Sequence, residues 1–179
     1  RNPKLEPDSK SMMKTKLTLF VAVLAAALSG VGCASVPKPD VANAVKWNGH
    51  WYAVFPDQLS TGPEAQALCE KMGGHLVVIS SKEENKFVEN LAAKTGKYGD
   101  YNIGALKEGT PKEAPQKKWQ WVNGEPFSTG YKNWGLNDLG KDFPPENRVM
   151  MWIFETDRRS GQWASVQEAY AGRCICEWE

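Results

Sequence analysis

The chain is poor in the residues that much enzyme chemistry is built from. Only two histidines, His50 and His75, stand among its 179 residues, and neither flanks a metal-ligand cluster. It has no HExxH pair, no phosphate loop and no nucleophile elbow. Those absences remove the sequence marks of zinc proteases, P-loop nucleotide enzymes and α/β-hydrolases. Carboxylate pairs for glycoside hydrolysis have no spacing signature, and nothing singles one out here. An excess of one charge is also lacking, with 22 Lys/Arg against 21 Asp/Glu. Setting aside residues 1–32, which hold five Lys/Arg and two Asp/Glu, leaves 17 against 19, a net of −2. A nucleic-acid binder needs a basic stripe or patch, so no nucleic acid is expected as a partner. There is no internal repeat. Cysteine is scarce too, at four.

What is present suits one domain with a real core: 41% hydrophobic residues, eight of them Trp. The N-terminal part reads as an export signal. Lys14 and Lys16 precede an uncharged apolar run at 17–28, and Ser29-Gly30-Val31-Gly32-Cys33 follows. That order is the signal-peptide pattern, and the run is short for a bilayer span. Residues 1–11 precede the first Met and read as an upstream extension, 12–32 as the signal peptide and 33–44 as a tether. A small residue before Cys33 resembles a bacterial lipoprotein signal, with Cys33 lipidated, although Gly30 stands where that pattern usually has Leu. The resemblance implies a lipid-anchored protein of the cell envelope, at the outer membrane of a Gram-negative bacterium. Ordinary cleavage after Ala34 would make it a secreted one. Several acyl chains would anchor firmly, since each buried methylene contributes about 0.8 kcal/mol.

With Cys33 in the signal, Cys69, Cys174 and Cys176 remain, and export permits a disulfide. Cys174 and Cys176 are expected on opposite faces of the last strand, so that only one faces Cys69. Strands are expected at 51–55, 76–79, 102–105, 119–122, 149–154, 162–164 and 173–177. Thr61, Pro63 and Glu64 open a first helix, with Ala65, Leu68, Cys69 and Met72 on its buried face. Gly73-Gly74 stops it. Ser81 and Glu84 form a second capping box, before an apolar stripe of Phe87, Val88 and Leu91. Residues 107–118, rich in Lys, Glu and Pro, read as a solvated loop. Residues 131–147 have no periodicity, and long loops of that kind are often functional. The class is α+β.

Several stretches carry a family resemblance. They are Cys69 through Gly73-Gly74-His75-Leu76, Asn102-Ile103-Gly104-Ala105, Trp119-Gln120-Trp121-Val122-Asn123-Gly124, Asn133-Trp134 and Cys174-Ile175-Cys176-Glu177-Trp178. Over 45–179 the chain resembles the C-type lectin-like domain. That implies two helices with small antiparallel sheets, paired N- and C-terminal strands and a long irregular loop region. The family pattern bridges Cys69 to Cys176. Cys174 is then a leftover thiol, read as a small half-buried hydrophobe in place of the family's aromatic residue. The family's second disulfide falls at Arg148 and Glu168, where an ion pair is expected instead.

In sugar-binding members the long loop holds a calcium ion that also chelates sugar hydroxyls. Calcium takes roughly 6–8 oxygen ligands. By the family's spacing its ligand triplet falls at Asp138, Leu139 and Gly140, its later Glu at Glu146, and its Asn-Asp pair at Ala164 and Ser165 after Trp163. Asp138 and Glu146 alone keep a carboxylate, so they are weak calcium candidates and no cofactor is expected. Asn137, Asp138, Asp142, Phe143 and Glu146 of the loop, with Arg158 of the 157–159 turn, are the candidate ligand contacts. Phe143, beside Pro144 and Pro145, is the aromatic without an obvious core partner. The reading is a non-catalytic binder of a glycan or surface protein, calcium-independent. Two alternatives stand beside it: a structural envelope protein using the domain for assembly, and a calcium-dependent lectin with a degenerate site.

Overall fold

The computed structural model describes residues 36–108, 118–136 and 146–179. Two N-terminal strands open the fold, β1 (Val45–Trp47) and β2 (His50–Thr61). They meet at Asn48-Gly49, with φ of +46° and +96°. Positive φ at both central residues is the hairpin turn whose twist matches its strands. The first helix, α1 (Gly62–Lys71), starts as expected: the Glu64 carboxylate accepts from the Thr61 N–H and hydroxyl, both at 2.9 Å. It ends on Gly73 at φ +78°, with the Gly74 N–H on the Cys69 carbonyl and the Gly73 N–H on that of Glu70. Glycine makes that left-handed stop without a Cβ penalty.

Beyond it lie β3 (His75–Leu76), α2 (Lys82–Ala93), β4 (Gly99–Leu106), β5 (Gln120–Trp121), β6 (Glu146–Ile153), β7 (Trp163–Gln167) and β8 (Ala171–Trp178). Main-chain hydrogen bonds join the strands into one sheet, ordered β1-β2-β8-β4-β6-β7, with β3 on β8 and β5 on β4. The pairs are antiparallel except β4 with β8, so the small sheets merge into one mixed sheet. β2 and β8 pair Trp51 with Trp178, bringing the two ends of the domain together. The 76–79 strand is shorter than expected. After Leu76, the Val78 N–H turns to the Glu177 carboxylate at 2.9 Å.

Two cores fill the fold. One gathers Tyr52, Ile79, Val88, Tyr101, Ile103, Trp121 and Trp163 between α2 and the sheet. The other gathers Ala53, Ala65, Cys69, Leu76, Cys174, Cys176 and Trp178 under α1. Val36, Val41 and Ala44 pack on this second core, and the Trp51 indole donates to the Val36 carbonyl at 3.0 Å. Residues 36–44, read from the sequence as part of a tether, thus pack against the domain.

The Cys69–Cys176 disulfide forms across 107 residues, with Cα atoms 5.5 Å apart. The placing of Cys174 needs correction. Side chains alternate at every residue of a strand, so residues two apart share a face. Cys174 and Cys176 both face Cys69, and the three sulfurs lie within 4.8 Å of one another. Cys174 is also fully buried, at 1% exposure, where half-burial was expected.

Candidate functional site

β6 and β7 form the hairpin on which the described site residues stand. Glu146 opens β6 and pairs with Gln167 at the end of β7. The Ser165 hydroxyl donates to Glu146 Oε2 at 2.5 Å. Ser165 and Gln167, two apart on β7, share a face. An open cavity of about 450 Å³ lies against them, lined by Glu146, Ser165, Val166, Gln167, Ala169 and Tyr170. Tyr170 is half exposed, and its hydroxyl donates to Asp100 Oδ2 at 3.0 Å. Hydrogen bonding to Asp100 raises the Tyr170 pKa, with the Asp100 charge and burial adding to it.

Just behind this cavity the expected ion pair is present. Arg148 Nη2 lies 3.1 Å from Glu168 Oε2. The same carboxylate oxygen accepts from Asn147 Nδ2 at 2.8 Å, and Arg148 Nη1 donates to the Asn147 carbonyl at 2.8 Å. Burial lowers the Arg148 pKa, and the charge of Glu168 opposes that shift. The pair ties the start of β6, where the long loop returns, to the β7–β8 connection.

Arg158 does not join Glu146. It is exposed in the turn between β6 and β7, at the opposite end of that hairpin. Beside it the Asp157 carboxylate takes the Arg159 guanidinium at 2.6 Å and the Arg159 N–H at 2.8 Å. Those bonds hold the Asp157 carboxyl at about 2. Arg159 also lies over the Phe154 ring, 5.3 Å from its centroid. The start of the long loop sits at this end: the Asn133 amide donates to the Gly161 carbonyl at 2.7 Å, and Trp134 bridges Trp163. The loop thus leaves near Arg158 and returns at Glu146. Asn137, Asp138, Asp142, Phe143 and Cys33 lie outside the described residues.

Of the two weak calcium candidates, Glu146 alone is among the described residues. Ala164 and Ser165 stand where the family has its Asn-Asp pair: Ala164 brings no side-chain oxygen, and the Ser165 hydroxyl donates to Glu146. Among the described positions of that pattern there is thus one carboxylate, against the several that calcium draws on.

Other residues defied their sequence context. Lys107 was expected in solvent but is buried, its ammonium 4.8 Å from the Trp119 ring centroid and its N–H on the Asn147 carbonyl. It follows the apolar run Ile103-Gly104-Ala105-Leu106 and shares the strand face of buried Ala105, a signal that the polar residues after it masked. Gln167 and Tyr170 belong to no motif and were missed. Trp121, Trp163 and Trp178 are core, while Trp134 is half-buried.

A second cluster of polar groups joins β2, α2 and β8, with Tyr52, Glu84 and Glu177 buried and His50 partly exposed. His50 Nδ1 lies 2.7 Å from Glu177 Oε1, and the Tyr52 hydroxyl donates to Glu84 Oε1 at 2.6 Å. Glu84 was expected to complete a capping box with Ser81. Ser81 Oγ does accept the Glu84 N–H at 3.1 Å, but the carboxylate turns inward to Ser80 N, Ser80 Oγ and Tyr52. Each carboxylate oxygen of Glu84 and Glu177 thereby has a protein donor. Burial alone would lower the His50 pKa, but the bond to Glu177 and the surrounding carboxylates outweigh it and raise it.

The Lectin C-type domain model matches residues 58–178, well over half of the chain. A perlucin-like protein of Mytilus galloprovincialis is 34% identical over 121 residues, covering 66% of this chain and 70% of that one. Asialoglycoprotein receptor 1 of Rattus norvegicus is 32% identical over 109 residues, covering 61% of this chain. The chain spans only about a third of that receptor's length, at 34%. Among solved structures, human lithostathine aligns with a TM-score of 0.65 at 22% identity, over 86% of this chain and 99% of that one. A calcium-independent type II antifreeze protein aligns with a TM-score of 0.62 at 20% identity, over 77% and 92%.

Proposed function

The chain belongs to the C-type lectin domain family, and from that premise we propose that it is a non-catalytic, calcium-independent binding module for a glycan or surface protein outside the cytoplasm. One observation carries the calcium-free reading: the Ser165 hydroxyl donates to Glu146, where the family's calcium sites gather acceptor oxygens. The open cavity at Glu146, Ser165, Gln167 and Tyr170 is the ligand face in this reading. Its carboxylate, hydroxyl and amide hydrogen-bond sugar hydroxyls or peptide groups directly, with no ion between. Asn137, Asp138, Asp142 and Phe143 of the long loop remain candidate contacts in this reading. Arg158, at the far end of the hairpin, belongs to a separate contact if it belongs to any.

The name of the rat relative speaks of asialoglycoproteins, which favours a glycan over a protein here. Lipidation at Cys33 would place the module on the envelope surface.

A glycan array probed with and without a chelator tests the function. Glycan signal that survives chelation is the expected result. Signal lost on chelation would return the chain to the calcium-dependent class. No signal in either condition, with a protein retained on pulldown, would make it an assembly module. Labelled fatty acid incorporated by the wild type and not by Cys33→Ser would support the anchor.

A further inference from the structure

Three buried sulfurs meet between α1 and β8. Cys69, Cys174 and Cys176 are each at most 1% exposed, and their Sγ atoms lie within 4.8 Å of one another. Cys69 and Cys176 are bridged, while Cys174 keeps its thiol. A thiolate beside a disulfide can trade one S–S bond for another. The shared strand face of Cys174 and Cys176 puts both within reach of the same helix residue.

We propose that these cysteines form one exchangeable site, in which Cys69 is bridged to either Cys176 or Cys174. In the step, Cys174 gives up its proton to water and its thiolate attacks Cys69 Sγ. The Cys69–Cys176 bond breaks as the Cys69–Cys174 bond forms. Cys176 leaves with the electron pair and takes a proton from water. No electron enters or leaves, so the exchange needs neither oxidant nor reductant. In the closed fold, burial pushes the Cys174 thiol up to about 12, so the exchange waits for α1 to lift and admit water.

The exchange has a mechanical consequence. It moves the covalent tie two residues along β8, roughly 6–7 Å. α1 runs alongside β8 in the same direction, with Thr61 opposite Ala171 and Gly74 against Trp178. The alternative tie draws Cys69 toward the start of α1. There Gly62 already abuts Arg148, whose Cδ would lie 2.8 Å from a Cβ on that glycine. Gly62 and Arg148 also line an apolar cavity of about 260 Å³ with Ala67, Leu76, Leu106 and Val122. The state of the sulfur site therefore bears on the Arg148–Glu168 pair behind the ligand face.

The Cys176→Ser chain, purified without reductant, is denatured in an alkylating reagent and its peptides mapped by mass spectrometry. A Cys69–Cys174 bridge with neither of the two alkylated is expected. Alkylation of both Cys69 and Cys174 would overturn the proposal. If that variant fails to fold, the wild type decides. It is held in sub-denaturing urea above the ordinary thiol pKa of about 8.5, then acid-quenched and alkylated. Label is expected to appear on Cys176 as it falls on Cys174. Label confined to Cys174 at all times would refute the exchange, with Cys174→Ser as the unlabelled baseline.

Discussion

The two ends of this domain solve one problem in different ways. At the α1–β8 end a buried disulfide joins helix to strand. At the proposed ligand end, where the family pattern has a second disulfide, Arg148 and Glu168 meet as a part-buried ion pair. The first tie acts largely on the unfolded chain and is indifferent to salt. The second is a native contact, screened by salt and weakened by water. A covalent frame thus supports a second end held by charge and hydrogen bonds, whose stiffness depends on its surroundings.

The comparison can be broken at its strong end first. Cys69→Ser removes any bridge to β8 and should cost about 2–5 kcal/mol in denaturant unfolding, near the upper range for a loop of this length. Cys176→Ser should cost less, because Cys174 remains to take the bridge. Equal losses would put all the stabilisation in the Cys69–Cys176 pairing.

Glu168→Ala comes next. It leaves Arg148 partly buried without its partner and should cost about 1 kcal/mol, shrinking as salt is raised. Reversing both charges, Arg148→Glu with Glu168→Arg, should recover part of what either single reversal loses. No recovery in the double variant would mean that the residues act separately.

The smallest effect is expected from His50. Its pKa in the folded chain is raised above 6.5, so its contribution is fully present below 6.5 and fades as pH rises through the folded value. Melting temperature followed upward from pH 6.5 should fall in the wild type and less so in His50→Gln. Parallel curves would mean that the bond to Glu177 is indifferent to the histidine charge.

Local chemistry explains which of these features could be read in advance. The Thr61–Glu64 cap and the Gly73 stop involve neighbours in sequence, and both formed as expected. The Arg148–Glu168 pair is not local, yet family spacing revealed it because two cysteine positions mark a known contact. Where a side chain's partner lies far along the chain and no family position marks it, the reading failed. Glu84 looks like a helix cap but bonds Tyr52, 32 residues away. Lys107 looks solvated but is buried against Trp119. Tyr170 and Gln167 reach the cavity because β7 ends beside Glu146, a register that no motif encodes. The misplacing of Cys174 was an error of strand parity, which the sequence alone could have corrected.

The central claim is that the lectin frame is kept while its ligand end works without calcium. Calorimetric titration of calcium into the purified chain, paired with thermal melting, tests it most directly. The account predicts no saturable heat and an unchanged melting temperature. Stoichiometric binding that raises the melting temperature and disappears in Glu146→Gln would contradict it.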